Sequence, residues 1–173
     1  MTQELIDLRI SILEGRYADA LAIVDDLEQM SKRTTLHQIE SYLNKALINL
    51  IKNQVEERLA NSWAASIRDF IREIQKLNLK DNQKTYTINA DQWELLIDNE
   101  LEAAISTASV EVLNGAYTPA QLSKLVDRAQ LRQTTQDLLA LTYLHSKKDL
   151  PLFINDYLTQ LPGGFYWNQD IQL

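Results

Sequence analysis

The stretch from Thr34 to Leu77 constrains the fold more than any other part of this chain. It consists almost entirely of helix formers, and apolar side chains recur three and four positions apart on both sides of Asn61-Ser62. That spacing places the apolar residues of each half on one face of an α-helix. The repeating positions are, before the break, Leu36, Ile39, Leu43, Ala46, Leu47, Leu50 and Ile51 and, after it, Trp63, Ile67, Phe70, Ile71, Ile74 and Leu77. Residues 60–62 form either a turn or a kink in one long helix. We favour the turn, because it lets two antiparallel helices bury these faces against each other.

Helix signals before this pair predict a hairpin. A first helix is expected over Gln3 to Glu14, ended by Gly15, and a second over residues 17–32. The short connection between them favours an antiparallel arrangement. Thr35 followed by Gln38 has the spacing of a capping box and predicts the start of the third helix.

Helix signals after the pair predict four more helices. Asn61 or Ser62 is expected to cap the fourth helix, and the polar residues 79–86 are the best candidate for a linker. A fifth helix starts near Asn89 and is closed by Asn114-Gly115, and three others are predicted at Thr118-Pro119, at 132–146 and at Pro151. The prediction is therefore an all-α antiparallel bundle of about seven to eight helices around the pair 34–77. We predict one domain over residues 1–173.

Composition excludes several classes of site and of location. The chain has no cysteine, so a disulfide scaffold, a thiolate zinc site and a catalytic cysteine are excluded. The first residues carry acidic side chains and lack a basic start before a long apolar run, so we expect no secretory signal. No run of about eighteen apolar residues occurs, so no membrane span is predicted and we expect a cytoplasmic protein.

Charge is unevenly distributed along the chain. The net charge of −7 argues against general nucleic-acid binding. Residues 1–30 have a net charge of −5, residues 31–80 of +4 and residues 81–173 of −6. Acidic flanking helices that neutralise the basic central pair are the favoured explanation. The alternative is an exposed basic face for an acidic partner.

Motifs for catalysis are weak. His37 and His145 lie in no helical metal-binding pattern, and no phosphate-binding glycine loop or nucleophile motif is present. Carboxylates at helical spacing do occur and could hold magnesium. The pairs are Glu4/Asp7, Asp25/Glu28 and Asp91/Glu94. We assign no catalytic residue, metal ligand or cofactor.

Five polar or amphipathic residues lie where a plain bundle would not need them. Gln54 continues the apolar row of the third predicted helix. Glu100 falls inside the apolar stripe of the fifth predicted helix, and Glu28 lies at the edge of the apolar stripe of the second. Arg68 lies roughly 130° from the apolar stripe of its helix and should face solvent, Glu28 or Glu100. A carboxylate inside the stripe needs a partner, so we expect Glu100 to pair with an arginine of the central helices, and the alternative is a functional acid. Together with Trp63, these residues form a predicted interior polar cluster.

A second candidate surface combines aromatic and basic residues. Phe165, Tyr166 and Trp167 are consecutive, and such a segment either folds back onto the core, as we favour, or stays exposed as an anchor for a partner. With Arg68 and Arg72, they form the predicted partner-binding surface.

Two segments of the central pair resemble a known family. The run LINLIKNQ at 47–54 followed by SWAASIR at 62–68 is similar to the bacterial family called domain of unknown function 29, in which L-x-H-L-L-K-W-Q precedes S-W-x-x-[ST]-I-R. The resemblance covers about residues 4–127. The matching positions are Gly15, Arg16, Leu27, Glu28, Met30, Leu50, Lys52, Gln54, Ser62, Trp63, Ser66, Ile67, Arg68, Tyr117, Thr118, Gln121 and Leu122.

The chain also departs from that pattern. Asn49 stands where the family has histidine, and Asn53 where it has tryptophan, so a role of that histidine as a base or ligand would be lost here. Residues from about 128 to 173, a predicted helical extension, match nothing. The activity of the family is unassigned, so the resemblance implies a helical fold and a bacterial cytoplasmic setting and transfers no catalytic residue.

Two functions from different classes follow from these observations. The first is a non-enzymatic protein-binding or regulatory module, which requires a protein partner and leaves a homo-oligomer open. The alternative is a metal-dependent nucleotide or phosphoester hydrolase that uses helix carboxylates. A third and weaker hypothesis is nucleic-acid contact by the basic helices.

Overall fold

The fold is all-helical, as predicted. A computed structural model describes residues 2–80, 82 and 84–169. Within these residues there are seven α-helices, one short 3₁₀ turn at Val112–Asn114 and no strand. The helices are α1 (Gln3–Leu13), α2 (Tyr17–Glu56), α3 (Asn61–Asn78), α4 (Trp93–Ala108), α5 (Pro119–Leu125), α6 (Arg128–Leu144) and α7 (Leu150–Leu158). None of the helices described combines the length and the apolar character needed to cross a membrane.

Contacts between residues divide the chain into two units. The boundary falls inside α2, between Gln38 and Ile39. The first unit contains α1 and the start of α2, and the second contains the rest of α2 and all later helices. The single domain over 1–173 stays a prediction.

The second and third predicted helices are one helix, so the predicted boundary near Lys32 is wrong. No glycine or proline occurs between Tyr17 and Glu56, so nothing in the backbone stops the helix. The Thr34 hydroxyl donates to the Met30 carbonyl at 3.0 Å, a bond inside the helix. Thr35 lies inside the same helix, so the predicted capping box does not form.

A turn joins the central helices, as predicted, but it lies at 57–60 and not at 60–62. Glu57 adopts a left-handed conformation (φ 53°), and α3 starts after Ala60. The helices run antiparallel, because Lys52 contacts the Trp63 ring close to the turn, and farther from the turn the Tyr42 ring lies 6.0 Å from the Phe70 ring. The predicted cap is wrong, since Ala60 occupies the cap position and the side chain of Asn61 instead accepts a hydrogen bond from Tyr166.

The core of the second unit follows the predicted apolar stripes. On α3, Trp63, Ile67, Ile71 and Ile74 are buried, and α3 packs against α6 and α7. The helix α4 packs against α5 and α6. The buried positions of α2 in this unit are Ile39, Leu43, Ala46, Leu47, Leu50 and Ile51, and those of α4 are Trp93, Ile97, Leu101, Ala104, Ile105 and Ala108.

Side-chain amides tie the loops of this unit to its helices. Asn78, which is 1% exposed, donates to the Ile88 carbonyl at 2.9 Å and accepts from the Ile88 N–H at 2.7 Å. Gln75 donates to the carbonyls of Thr142 and His145. A buried amide is retained at little cost when its donors and acceptors are satisfied in this way.

A third buried amide holds the α2–α3 turn. Asn53 donates to the Arg58 carbonyl at 3.0 Å and to the Pro162 carbonyl at 2.8 Å. A Cβ on Gly163 would lie 2.8 Å from the Arg58 Cα, so only glycine allows this approach. The segment that follows α7 is therefore fitted against the turn.

The segment 79–86, predicted to be a linker, is a closed loop of the second unit. Leu79 and Tyr86 form an antiparallel bridge, and the Lys80 N–H donates to the Thr85 carbonyl at 2.9 Å. Asp81 and Gln83 lie outside the described residues. These backbone bonds join the loop to the end of α3.

The starts of the later helices are partly as predicted. The capping box of Thr118 with Gln121 is present, with Pro119 in the first turn of α5. The first turn of α7 likewise contains Pro151. The helix α6 starts at Arg128 rather than at 132, because the Asp127 carboxylate caps it by accepting from the Gln130 N–H.

The predicted limits of the fifth helix are wrong at both ends. The helix α4 starts at Trp93, since the residues after Asn89 form a turn in which the Gln92 side chain accepts from the Asn89 N–H. It ends at Ala108, so Asn114-Gly115 does not close it. The residues after Ala108 instead form one wall of a cleft beside the α2–α3 turn.

Candidate functional site

An open cleft lies between the end of α2, the start of α3 and the segment 110–114. Its volume is about 540 Å³. We call it the Trp63 cleft, and it is lined by Lys52, Glu56, Arg58, Trp63, Val110, Glu111, Leu113 and Asn114. All of these residues belong to the second unit.

Two cations lie against the indole at the base of the cleft. The Lys52 Nζ is 4.9 Å from the centre of the Trp63 ring, and the Arg58 Cζ is 4.4 Å from it. A cation at this distance is attracted by the negative face of the ring, by about 0.5–2 kcal/mol. The indole, 9% exposed, therefore holds both cations at the cleft.

Two carboxylates complete the charged lining. Glu111 pairs with Lys52 at 3.1 Å and is half exposed, whereas the Glu56 side chain is 6% exposed and pairs with Arg58 at 3.0 Å. Glu56 also accepts from the Leu113 N–H at 3.3 Å. The charges balance, and Glu111 is the carboxylate that another anion can replace most easily, because water already competes for it.

The wall opposite Trp63 contains backbone strain. Leu113 is left-handed (φ 46°, ψ 44°), and Asn114 and Gly115 follow with φ of 57° and 79°. A branched residue in this region costs on the order of 1–3 kcal/mol, and such strain concentrates at functional sites. Leu113 is nevertheless 48% exposed, so its side chain does not recover that cost by burial in the core.

The rim of the cleft is apolar. Val110 is 74% exposed, beside the half-exposed Leu113. Tryptophan and arginine dominate the binding energy of protein interfaces, and apolar neighbours exclude water around them. The Trp63 cleft has this composition.

Only one residue of the predicted interior cluster lies in this cleft. Trp63 does, whereas Gln54 donates to the Asp127 carbonyl at 3.1 Å and accepts from the Asp127 N–H at 2.9 Å. Glu100 accepts from the Asn44 amide at 3.3 Å, so its partner is an amide and not the predicted arginine. A neutral donor suffices because Glu100 is only partly buried.

The other charged members of the predicted sites pair on their own helix or lie exposed. Arg68 and Arg72 both pair with Asp69, at 3.1 Å and 3.6 Å, on their own helix. Glu28 is exposed on the first unit. No hydrogen bond or ion pair within the described ranges joins any two of the five predicted cluster residues, so the structure does not assemble them into a cluster.

The aromatic segment folds back in part, as favoured above. The Tyr166 hydroxyl donates to the Leu59 carbonyl and to the Asn61 side chain, and the Trp167 indole donates to the Asn155 side chain at 2.9 Å. Phe165 is 69% exposed. Of the three aromatics, Phe165 is therefore the residue most available to a partner.

Carboxylates and histidines do not converge in the described structure. Over residues 2–80, 82 and 84–169, no group of three or more histidine, aspartate or glutamate side chains is arranged to hold a metal ion.

Tyr157 lines a smaller cavity of about 200 Å³. Burial and a 2.9 Å hydrogen bond to Asp137 raise the pKa of Tyr157 to about 12, from about 10 in an unfolded chain. The neutral phenol thus contributes stability that is fully present below pH 10 and is lost as the pH rises towards 12. We expect the free energy of unfolding to fall over this range, and to fall less steeply in Tyr157→Phe.

Denaturant unfolding at a series of pH values measures this effect. Tyr17→Phe is the matched control, because Tyr17 is 66% exposed. Equal pH dependence of the wild type and Tyr157→Phe would contradict the assignment.

Comparison with known proteins identifies no relative of this chain. No protein-family model, curated protein or solved structure matches the chain.

Proposed function

We propose that this chain is a non-enzymatic protein-binding module whose Trp63 cleft receives a segment of a partner protein. The observation that carries the proposal is Leu113, an exposed apolar residue in a strained left-handed conformation. A surface loop free of function would accept glycine or asparagine there at lower cost. A leucine at this position is explained if its side chain contacts a partner.

The lining of the cleft defines the chemistry of that segment. An apolar side chain of the partner would pack against Val110 and Leu113, where water is now in contact with both. A carboxylate of the partner would replace Glu111 at Lys52 or bind Arg58, whose side chain is 58% exposed. The expected ligand is therefore a short segment with an apolar and an acidic residue.

The predicted partner surface is retained as an extension of this site. Phe165 comes two residues after Gly163, whose backbone lies against that of Arg58 on the cleft wall, and its side chain is exposed. Arg68 and Arg72 are shared with Asp69 and offer less free charge. We expect Phe165 to contribute more than the two arginines.

Membership of the domain of unknown function 29 family and a bacterial cytoplasmic setting also remain proposals. Two residues of the resemblance, Lys52 and Trp63, line the cleft. If the resemblance is a true relationship, the cleft would be a feature of the family. No observation favours the metal-dependent hydrolase, which stays a prediction from carboxylate spacing.

Differential co-purification tests the binding proposal. The wild-type protein, Val110→Asp and a control, Leu95→Asp, are each used to capture proteins from the native cytoplasm at moderate salt, followed by quantitative mass spectrometry. Leu95 is 69% exposed and lies outside the cleft, so it matches Val110 in exposure. A partner lost with Val110→Asp and kept with Leu95→Asp supports the proposal. The same captured proteins in all three samples would overturn it.

Leu113→Gly tests whether the leucine at this left-handed position serves partner binding or the stability of the fold. Relief of the left-handed strain offsets the loss of a half-exposed side chain, so we expect the free energy of unfolding to stay unchanged or rise by up to about 1 kcal/mol. Affinity for the captured partner should fall by about tenfold, since an interface contact is removed. Urea unfolding and titration calorimetry measure the two quantities. A destabilisation of the size of a core leucine, about 2–5 kcal/mol, would contradict this interpretation.

A further inference from the structure

A separate open cavity lies at the end of α3, whereas the Trp63 cleft lies at its start. The volume of this cavity is about 610 Å³, within the range of about 300–1,000 Å³ that small-molecule sites occupy. We call it the Gln75 cavity, and its lining includes Gln75, Lys76, Tyr86, His145, Ser146 and Lys147. The lining residues all belong to the second unit.

The floor of the cavity is fixed in place and offers an open acceptor. Gln75 is 9% exposed, and its amide nitrogen donates to the carbonyls of Thr142 and His145 at 3.0 Å and 2.9 Å. Its amide oxygen accepts no hydrogen bond from any residue that the structure describes. Since no buried side-chain oxygen in the described ranges lacks a partner, this oxygen must reach the open space that Gln75 lines. A donor on a bound molecule would satisfy it.

Two lysines give the cavity a positive lining. Lys147 forms no ion pair with the described part of the chain, and Lys76 pairs with Glu73 at 3.2 Å on the same helix. Because the side chains of that pair are 48% and 40% exposed, water already competes for both charges and an anion can replace Glu73. Asp149, which accepts from the Ser146 hydroxyl at 3.2 Å, does not line the cavity. Two ammonium groups are therefore open to an anionic ligand.

The imidazole of His145 is positioned by stacking. Its ring lies on that of Phe153, with 3.5 Å between the centroids and 9° between the planes. Stacking uses the face of the imidazole, and no described residue forms a hydrogen bond to either ring nitrogen. His145 is thus a third group that can donate to an anion in this cavity.

Tyr86 supplies an aromatic wall. The antiparallel bridge between Leu79 and Tyr86 attaches the loop to the end of α3, and the rings of Tyr86 and Tyr143 meet in T-shaped geometry, 4.6 Å apart. A tyrosine held in this way can stack with a planar group, since every nucleobase presents a π face.

These features together favour a phosphate monoester that carries a planar group. Lysine binds phosphate as a point charge, whereas a carboxylate is recognised best by the planar fork of arginine, which is absent from the described lining. A phosphate monoester has nearly two negative charges at neutral pH and so matches the two ammonium groups. A nucleobase provides both the planar face for Tyr86 and the N–H donor for Gln75.

We propose that the Gln75 cavity binds a mononucleotide, with its phosphate at Lys76, Lys147 and His145 and its base at Tyr86 and Gln75. The cavity shares no residue with the Trp63 cleft, so this inference is independent of the protein-binding proposal. It also differs from the hydrolase hypothesis, because it involves binding alone and uses no helix carboxylate.

Nuclear magnetic resonance titration of the labelled full chain tests this proposal. The probes are the monophosphates of adenosine, guanosine, cytidine and uridine, and at least one should bind at physiological salt with a Kd below about 1 mM. Its nucleoside, ribose phosphate and inorganic phosphate should each bind at least about tenfold more weakly, because each lacks part of the recognised group. No binding of the four nucleotides, or a fragment that binds as tightly as the whole, would overturn the proposal.

Two neighbouring lysine variants locate the phosphate. Lys147→Gln should weaken the bound nucleotide about tenfold, because it removes an ammonium group that has no competing ion pair. Lys148→Gln is the matched control, since Lys148 is also exposed but does not line the cavity. Circular dichroism should show unchanged helix content in both variants. An unchanged Kd in Lys147→Gln, or an equal loss in the two variants, would overturn the proposed phosphate position.

Discussion

Trp63→Ala is expected to lower the free energy of unfolding by about 3–5 kcal/mol, the range for deletion of a large buried aromatic. The indole is 9% exposed, and its removal leaves a void at the base of the cleft. It also removes the ring that holds Lys52 and Arg58, at 4.9 Å and 4.4 Å. Urea unfolding followed by circular dichroism measures the change.

Two further variants separate packing from surface effects. Trp63→Phe keeps an aromatic face for the cations, so its loss should be clearly smaller than that of alanine. Val110→Ala, at a position 74% exposed, should change the free energy by no more than about 0.5 kcal/mol. A loss below about 1 kcal/mol for Trp63→Ala would show that the indole does not organise this part of the fold.

Asn78→Leu is the second large effect. The leucine has a similar volume but leaves the Ile88 N–H, now bonded at 2.7 Å, without its buried acceptor. It also removes the Asn78 bonds to the Ile88 carbonyl and to the Tyr143 hydroxyl, although that carbonyl keeps its bond from Tyr143. The Ile88 N–H is therefore the group left unsatisfied, at a cost of about 1–3 kcal/mol, and with the two lost bonds we expect a total loss of about 3 kcal/mol.

Hydrogen exchange identifies the cause of that loss. The Ile88 amide should exchange at least about 100-fold faster in Asn78→Leu, in keeping with a local loss of about 3 kcal/mol. Asn49→Ala is the control, because the Asn49 amide bonds only a carbonyl of its own helix, that of Lys45. Unchanged protection of Ile88 would mean that other contacts hold the loop.

The sequence predicts those parts of the fold that depend on neighbouring residues. Apolar spacing identifies the buried faces of α3 and α4, and Thr118-Pro119 marks the start of α5. The prediction of a capping box at Thr35 is wrong because a cap is a weak local signal. An uninterrupted run of helix formers extends a helix across such a signal at little cost.

The site is harder to predict because its contacts are long-range. Trp63 stood out by residue type, but its cleft depends on the pair of Lys52 with Glu111, which are 59 positions apart. The left-handed Leu113 has no composition signal, and Asn114-Gly115 resembled an ordinary helix end. Gln54 was identified as unusual, yet its partner is a backbone 73 positions away.

The attachment of the glycine turn to the α2–α3 turn has a consequence for synthesis on the ribosome. Asn53 finds one of its two acceptors at Pro162, 109 positions later, and Tyr166 reaches back to Leu59. A nascent chain therefore contains α2 and α3 long before the segment that fixes the turn between them has been translated. Arg58, on one wall of the Trp63 cleft, reaches its final backbone environment only then, so the cleft matures at a late stage of translation or after it.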